Sequence, residues 1–203
     1  MIHCSGACSL DLLNSCVAQG AIPGAFHPLQ AFSSVDAGVK SISGITFGIE
    51  GTSEMRTYLE RMALHLKAHP ILLRSEDKAL YHLTGVLMGN LLTEYVAIAA
   101  NLWHALGLTR EDGLRALVPM MRQVVVNLET SGLPGAVSGP YARGDLGTVR
   151  KHVKALAERS PDLLPLYCSL AIAGLPFAEE KGTLSSHTVE QIVTLLKEGL
   201  VRG

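Results

Sequence analysis

The feature that most constrains this chain is a change of periodicity near Ser75. Before it, short β-type stretches alternate with helical ones; after it, every apolar pattern repeats at helical spacing. Residues 2–4 form a brief apolar stretch that stops at Ser5-Gly6, and Ser9 can cap a helix carrying Leu10, Leu13, Cys16 and Val17. Ala25-Phe26-His27, residues 45–49 and Ile71-Leu72-Leu73 read as further strands, punctuated by Pro28, Gly51 and Pro70. Met55, Leu59, Met62 and Leu66 mark one helix face between them. This alternation predicts a mostly parallel, helix-covered sheet over residues 1–74.

Residues 75–203 read as helix throughout. Ser75, Glu76 and Asp77 open a long helix that closes at Gly107, and Thr109 opens the next. Pro119 is expected to kink or split that second helix, with Gly132 and Pro134 ending it. Asp145, Ser160-Pro161 and Ser186 mark three further starts. At about 100° per residue from Lys78, the long helix divides into two halves. Leu80, Tyr81, Leu87, Met88, Leu91, Leu92, Tyr95 and Ile98 fall in one. Lys78, His82, Gly89, Asn90, Thr93, Glu94, Ala97, Ala100 and Asn101 fall in the other. The expectation is burial on the bulky side, with a ligand or a neighbouring backbone on the small, polar side.

Composition narrows the function classes. The 203 residues are 48% hydrophobic and 17% charged, with a formal net charge of -1, so no basic footprint for nucleic acid or an anionic membrane surface is present. Glu94, Gly174 and Pro176 interrupt the longest apolar runs before the roughly 18 to 20 residues that span a bilayer, which predicts a protein without membrane partners, located in the cytoplasm. Cys4, Cys8, Cys16 and Cys168 are few and form no Cys-x-x-Cys pair, the pattern of reduced thiols. His3, Cys4 and Cys8 lack a fourth ligand, and no metal is expected.

Three blocks carry a family resemblance: His3-Cys4-Ser5-Gly6-Ala7; His27-Pro28-Leu29-Gln30 followed by Phe32; and Ser138-Gly139-Pro140-Tyr141-Ala142-Arg143-Gly144-Asp145 with Thr148 and His152 behind it. With Phe47-Gly48-Ile49-Glu50-Gly51, Tyr81-His82 and Asn90, they resemble the Rossmann-like oxidoreductases that carry a C-terminal domain of unknown function 2520. The resemblance implies kinship with pyrroline-5-carboxylate reductase and the 6-phosphogluconate dehydrogenase group. It implies a partial Rossmann-like sheet in residues 1–74 that meets NAD or NADP, and a helical substrate and dimerisation domain in residues 75–203. Usual members begin with a Gly-x-Gly-x-x-Gly turn that this sequence lacks, so about 80 residues of a usual member are expected to be missing. Such a chain alone should hold NADPH very weakly.

The implied activity is oxidoreduction of a small keto, hydroxy or imino acid; the alternative is a non-enzymatic dimerisation or ligand-sensing module that has lost its cofactor. Ligands of such sheets gather at the carboxyl ends of strands, where Ser5, Gly6, His27 and Gln30 fall. His27, either the proton-exchanging group or the holder of the Pro28 turn, leads the catalytic candidates, and His82 follows. The group's relatives use a lysine and an asparagine one helical turn apart, but Lys78 and Asn90 are 12 residues apart, so neither is carried over as catalytic. Asn90 and Glu94 can line a substrate cleft. Arg143 can bind a carboxylate, or form a structural turn with Asp145 as helix cap. The apolar surface of the helical half predicts a homodimer.

Overall fold

Four short strands form where the apolar stretches predict them: β1 (Ile2–His3), β2 (Gly24–Leu29), β3 (Thr46–Gly51) and β4 (His69–Leu72). The computed structural model describes residues 1–202, with side chains through residue 201, and places the strands in the order β1-β2-β3-β4 in one mixed sheet. β1 runs parallel to β2 and β3 parallel to β4, whereas β2 and β3 are antiparallel. Two of the three pairings are parallel, as the expected mostly parallel sheet requires, and β2–β3 is the exception. Its connection holds only α2 (Val35–Lys40), a helix absent from the sequence reading. Six helical residues rise about 9 Å, too little to return along a six-residue strand of roughly 20 Å, and the chain folds back instead.

Alternation gives the sheet two unlike faces. Phe26, Phe47 and Ile49 share one face and pack with Leu59 and Ala63 of α3 (Ser53–His65), the Phe26 and Phe47 rings stacking at 4.1 Å between centroids. Thr52 starts α3 by accepting a hydrogen bond from the Met55 amide. The opposite face carries His3, Ala25 and Glu50 side by side in register, with His27 opposite Gly48 two residues along. The helix expected after Ser9 is reduced to a 3-10 turn and α1 (Asn14–Val17), although Ser9 caps it as read.

The long helix is a single run from Ser75 to Leu106. It comprises a 3-10 turn, α4 (Lys78–Val86), a π-helical turn (Leu87–Leu91), α5 (Leu92–Asn101) and a closing 3-10 turn, ended by Gly107 in the left-handed region at φ 79°. Its burial does not follow the expected division into two halves. Leu80, Leu87, Met88, Leu91 and Tyr95 are exposed, but so are Asn90, Thr93, Glu94, Ala97 and Asn101, while Lys78 and Ala100 are buried and Tyr81, His82 and Gly89 half-buried. The start of the helix meets the polar sheet face through Lys78, Tyr81 and His82.

By packing, the chain divides into two compact units, Met1–Tyr95 and Val96 onward, a division that falls within the long helix. In the second unit, Thr109 and Asp112 form a capping box at the start of α6 (Arg110–Gly135). Pro119 neither kinks nor splits α6; non-helical angles occur only at Gly132 and Leu133. Residue 115, whose carbonyl loses its partner to Pro119, is exposed, so water can replace that hydrogen bond. Asp145 caps α7 (Leu146–Arg159) by accepting from the Thr148 amide at 2.9 Å. Ser185, one residue before the expected Ser186, caps α9 (Ser186–Arg202). Val149 and Val153 of α7, Leu164, Cys168 and Leu175 of α8 (Leu164–Glu180), and Ile192 and Leu196 of α9 make the core. By length and composition alone, Ser75–Leu106 and Pro161–Glu180 are long and apolar enough to cross a membrane, but the latter supplies the middle of this core.

Leu59 has no exposed surface. Leu59→Ala should therefore lower stability by about 2–5 kcal/mol, read as a shift of the denaturant midpoint without loss of the native far-UV signal.

Candidate active site

The polar sheet face builds the site. Ala25 lies between His3 and Glu50 in register, and Gly48 lies opposite His27; these two small residues leave room for side chains descending from α4. Lys78 fills the space at Glu50, its Nζ 3.5 Å from Oε2, while the Ser75 hydroxyl donates to Oε1 at 2.5 Å. Lys78 is 1% exposed and Glu50 3%. Charges so removed from water lose several kcal/mol of hydration each and persist only when paired, so the pair pins the start of the long helix to the sheet. Ser75, expected as a helix opener, gives its hydroxyl to Glu50 and makes no capping bond.

One turn after Lys78, His82 meets His27. The two rings lie 5.8 Å apart, edge to face. Gly6, buried after β1, closes the third side: a Cβ there would stand 2.5 Å from His82 Cδ2 and 2.7 Å from His27 Nε2. No larger residue fits without displacing an imidazole. Tyr81 packs edge-on against His27, with its hydroxyl 3.2 Å from Nδ1. Burial, then His82 and Lys78, hold His27 below the ordinary histidine value. Burial and Lys78 lower His3 as well, partly opposed by a Ser9 backbone hydrogen bond and Glu50. The Ser5 amide donates to His3 Nδ1, and the Ser5 hydroxyl accepts from the Cys8 amide.

Beside the histidines opens a cleft of about 630 Å³. Its walls are the chain from His27 to Phe32 and the helix surface from His82 through Gly85 and Gly89 to Asn90. Gly85 and Gly89 let residues 29–31 lie against the helix, since a Cβ on Gly85 would stand 2.8 Å from Leu29 Cδ1. Asn90 sits on the π-helical turn, an irregularity frequent at functional sites.

The structure thus brings Ser5, Gly6, His27 and His82 together and sets Gln30 and Asn90 along the adjoining cleft. Gln30 Oε1 accepts from the Ala31 amide. Glu94 is exposed and not among the cleft residues. Arg143 is exposed in the second unit, just ahead of α7. Sequence reasoning missed Glu50, Tyr81 and Lys78 as site residues. A partial signal was present, since Glu50 stands in an otherwise apolar strand and Lys78 precedes His82 by one turn, but nothing local says that two distant charges meet.

The profile of the family described as domain of unknown function 2520 matches residues 45–173. The chain belongs to that family. Its fold is shared with BF3122 from Bacteroides fragilis, provisionally described as an NADP oxidoreductase: TM-score 0.65 at 24% identity, over 87% of this chain and 64% of that one. It is shared also with protein TM1727 from Thermotoga maritima: TM-score 0.66 at 20% identity, over 98% of this chain and 68% of that one. The chain therefore spans about two thirds of either neighbour, and its fold is Rossmann-like with a helical second part. None of the curated proteins matches it significantly in sequence.

In this member of the family, Glu50→Ala would leave the Lys78 ammonium buried without its counter-charge. Stability should fall by about 3–5 kcal/mol, and the Glu50→Gln/Lys78→Met double variant should recover most of it in equilibrium unfolding.

Proposed function

We propose that this chain is the larger part of an NAD(P)-dependent oxidoreductase acting on a small keto, hydroxy or imino acid, with His27 as the proton-exchanging group and His82 as its neighbour. The convergence of both imidazoles on Gly6, just after β1 and beside His27 within β2, carries this reading. Hydride-transfer enzymes need one polar group at the oxygen or nitrogen whose charge changes, placed beside a surface on which a flat ring can lie. The backbone at Gly6 lies against both imidazoles with no room for a side chain, and Ser5, Gly6, His27 and Gln30 are the residues that would meet the cofactor. The cofactor, when bound, supplies the redox chemistry; these residues orient the substrate and hold or take a proton. Asn90 serves the substrate along the cleft, and Glu94 and Arg143 are proposed as further substrate-binding residues. The provisional NADP description of BF3122 supports NADP over NAD. A cytoplasmic location is proposed with it.

The test is a spectrophotometric screen of such acids at NADP(H) concentrations high enough to offset weak binding. Turnover that His27→Ala lowers by about 10²–10⁴-fold is the expected result. Turnover absent from every arm would leave the ligand-sensing or dimerisation module as the reading.

We also propose a homodimer, because the exposed row Leu80, Leu87, Met88, Leu91 and Tyr95, with Leu114, Met120, Val124 and Leu128 of α6, forgoes roughly 1.5–3 kcal/mol per large apolar side chain. Sedimentation should give a dimer at micromolar concentration, and Leu80→Glu/Met88→Glu should shift it to monomer.

A further inference from the structure

We propose that Tyr81 is a positioning residue that fixes the His27 ring with its single proton on Nδ1, so that the Nε2 lone pair faces Gly6 and takes the proton of a bound hydroxyl or amine. This deepens the proposed function and rests on His27 being its proton-exchanging group. Four observations carry it.

The first is how Tyr81 is placed. Gly48 stands opposite His27 in the β2–β3 pair, and a Cβ on Gly48 would lie 2.8 Å from Tyr81 Cζ and 2.9 Å from Cε1. The phenol therefore lies directly on the glycine backbone, and any larger residue there would lift it away from the histidine. The second is a count of hydrogens. The Tyr81 oxygen is 3.2 Å from His27 Nδ1 and 3.4 Å from the His27 carbonyl oxygen. A phenol has one proton, and a carbonyl can only accept. Both contacts are hydrogen bonds only when Tyr81 donates to the carbonyl and Nδ1–H donates to the Tyr81 oxygen. The opposite arrangement, with Tyr81 donating to Nδ1, sets two acceptor oxygens against each other in a half-buried place, which is the arrangement buried polar groups avoid.

The third is that both partners hold the protons this requires. Burial pushes the Tyr81 phenol up, against a smaller opposing effect of the Gly48 backbone, so it remains protonated. The titratable and charged groups around His27 are Tyr81, His82 and Lys78 from α4, with His3 and Glu50 on the flanking strands beyond Ala25. Of these, His82 and Lys78 act with burial to keep the imidazole neutral. A neutral ring with its proton on Nδ1 has a bare Nε2. The fourth is what stands beside that nitrogen: a Cβ on residue 6 would sit 2.7 Å from Nε2, so only glycine leaves it without a side chain pressed against it. In the resulting step the substrate O–H or N–H bond breaks, an Nε2–H bond forms, and His27 becomes an imidazolium.

Imidazole nitrogen spectra of the ¹⁵N-labelled chain, recorded above the histidine titration range without cofactor or substrate, test this directly. The expected result is a protonated Nδ1 and an unprotonated Nε2 on His27. In Tyr81→Phe, which keeps the ring over Gly48, the proton should move to Nε2, the site preferred by free histidine. A protonated Nε2 in the unaltered chain, or an unchanged Nδ1–H form in Tyr81→Phe, would overturn the proposal. Because the readout needs no turnover, an inactive protein with bare Nε2 would count against the oxidoreductase reading alone.

Discussion

Burying the ammonium of Lys78 beside the carboxylate of Glu50 sets the terms for everything built above the polar face of the sheet. Each ion alone would lose several kcal/mol of hydration, so neither can stay where it is without the other. Glu50 is held by the strand register, opposite Ala25 and one strand further from His3. Lys78 stands at the start of α4, and the Ser75 hydroxyl on Glu50 adds a second tie at the same place. Once the first turn is anchored there, helical geometry carries Tyr81 to Gly48 and His82 to His27 without further instruction. The charge that anchors the helix also reaches His27, where it favours the neutral ring. Anchor and chemical site are therefore one electrostatic unit.

The two faces of the sheet divide labour in a way that explains why the start of the long helix turns Lys78, Tyr81 and His82 inward. One face is finished by Phe26, Phe47 and Ile49 against α3, and needs nothing more. The other offers an imidazole, a carboxylate and two gaps at Ala25 and Gly48, which an apolar helix surface could not satisfy. The helix therefore turns Lys78 and His82 toward it and leaves Leu80, Leu87 and Met88 outside. A row of large apolar residues left in water is unfavourable for an isolated chain, and the proposed self-association and the candidate site would use opposite sides of one element.

Much of this was legible in the amino-acid order. Period-2 stretches placed four strands within a few residues, and helical spacing placed the long helix and those after it. Thr109, Asp145 and Gly107 act as the caps their chemistry suggests, because capping is decided within three or four residues. The motif blocks led to the family, and of the residues expected at or after strand ends Gly6 follows β1 while His27 lies within β2. Where a local signal misled, the environment decided the matter: solvent around residue 115 lets α6 run on past Pro119.

What the chain order determined by itself is thus the kind of element at each place and the faces each element owns, since both follow from periodicities of 2 and 3.6 residues. Which faces meet was settled only in three dimensions. Glu50 and Lys78 are 28 residues apart, and neither shows in its own neighbourhood that it will be buried. Their pairing arises because the sheet register leaves a gap at Ala25 and the helix start must neutralise the carboxylate it covers. The same holds for Tyr81 and His27, where a hydrogen-bond arrangement exists only because Gly48, a third residue on another strand, has no side chain.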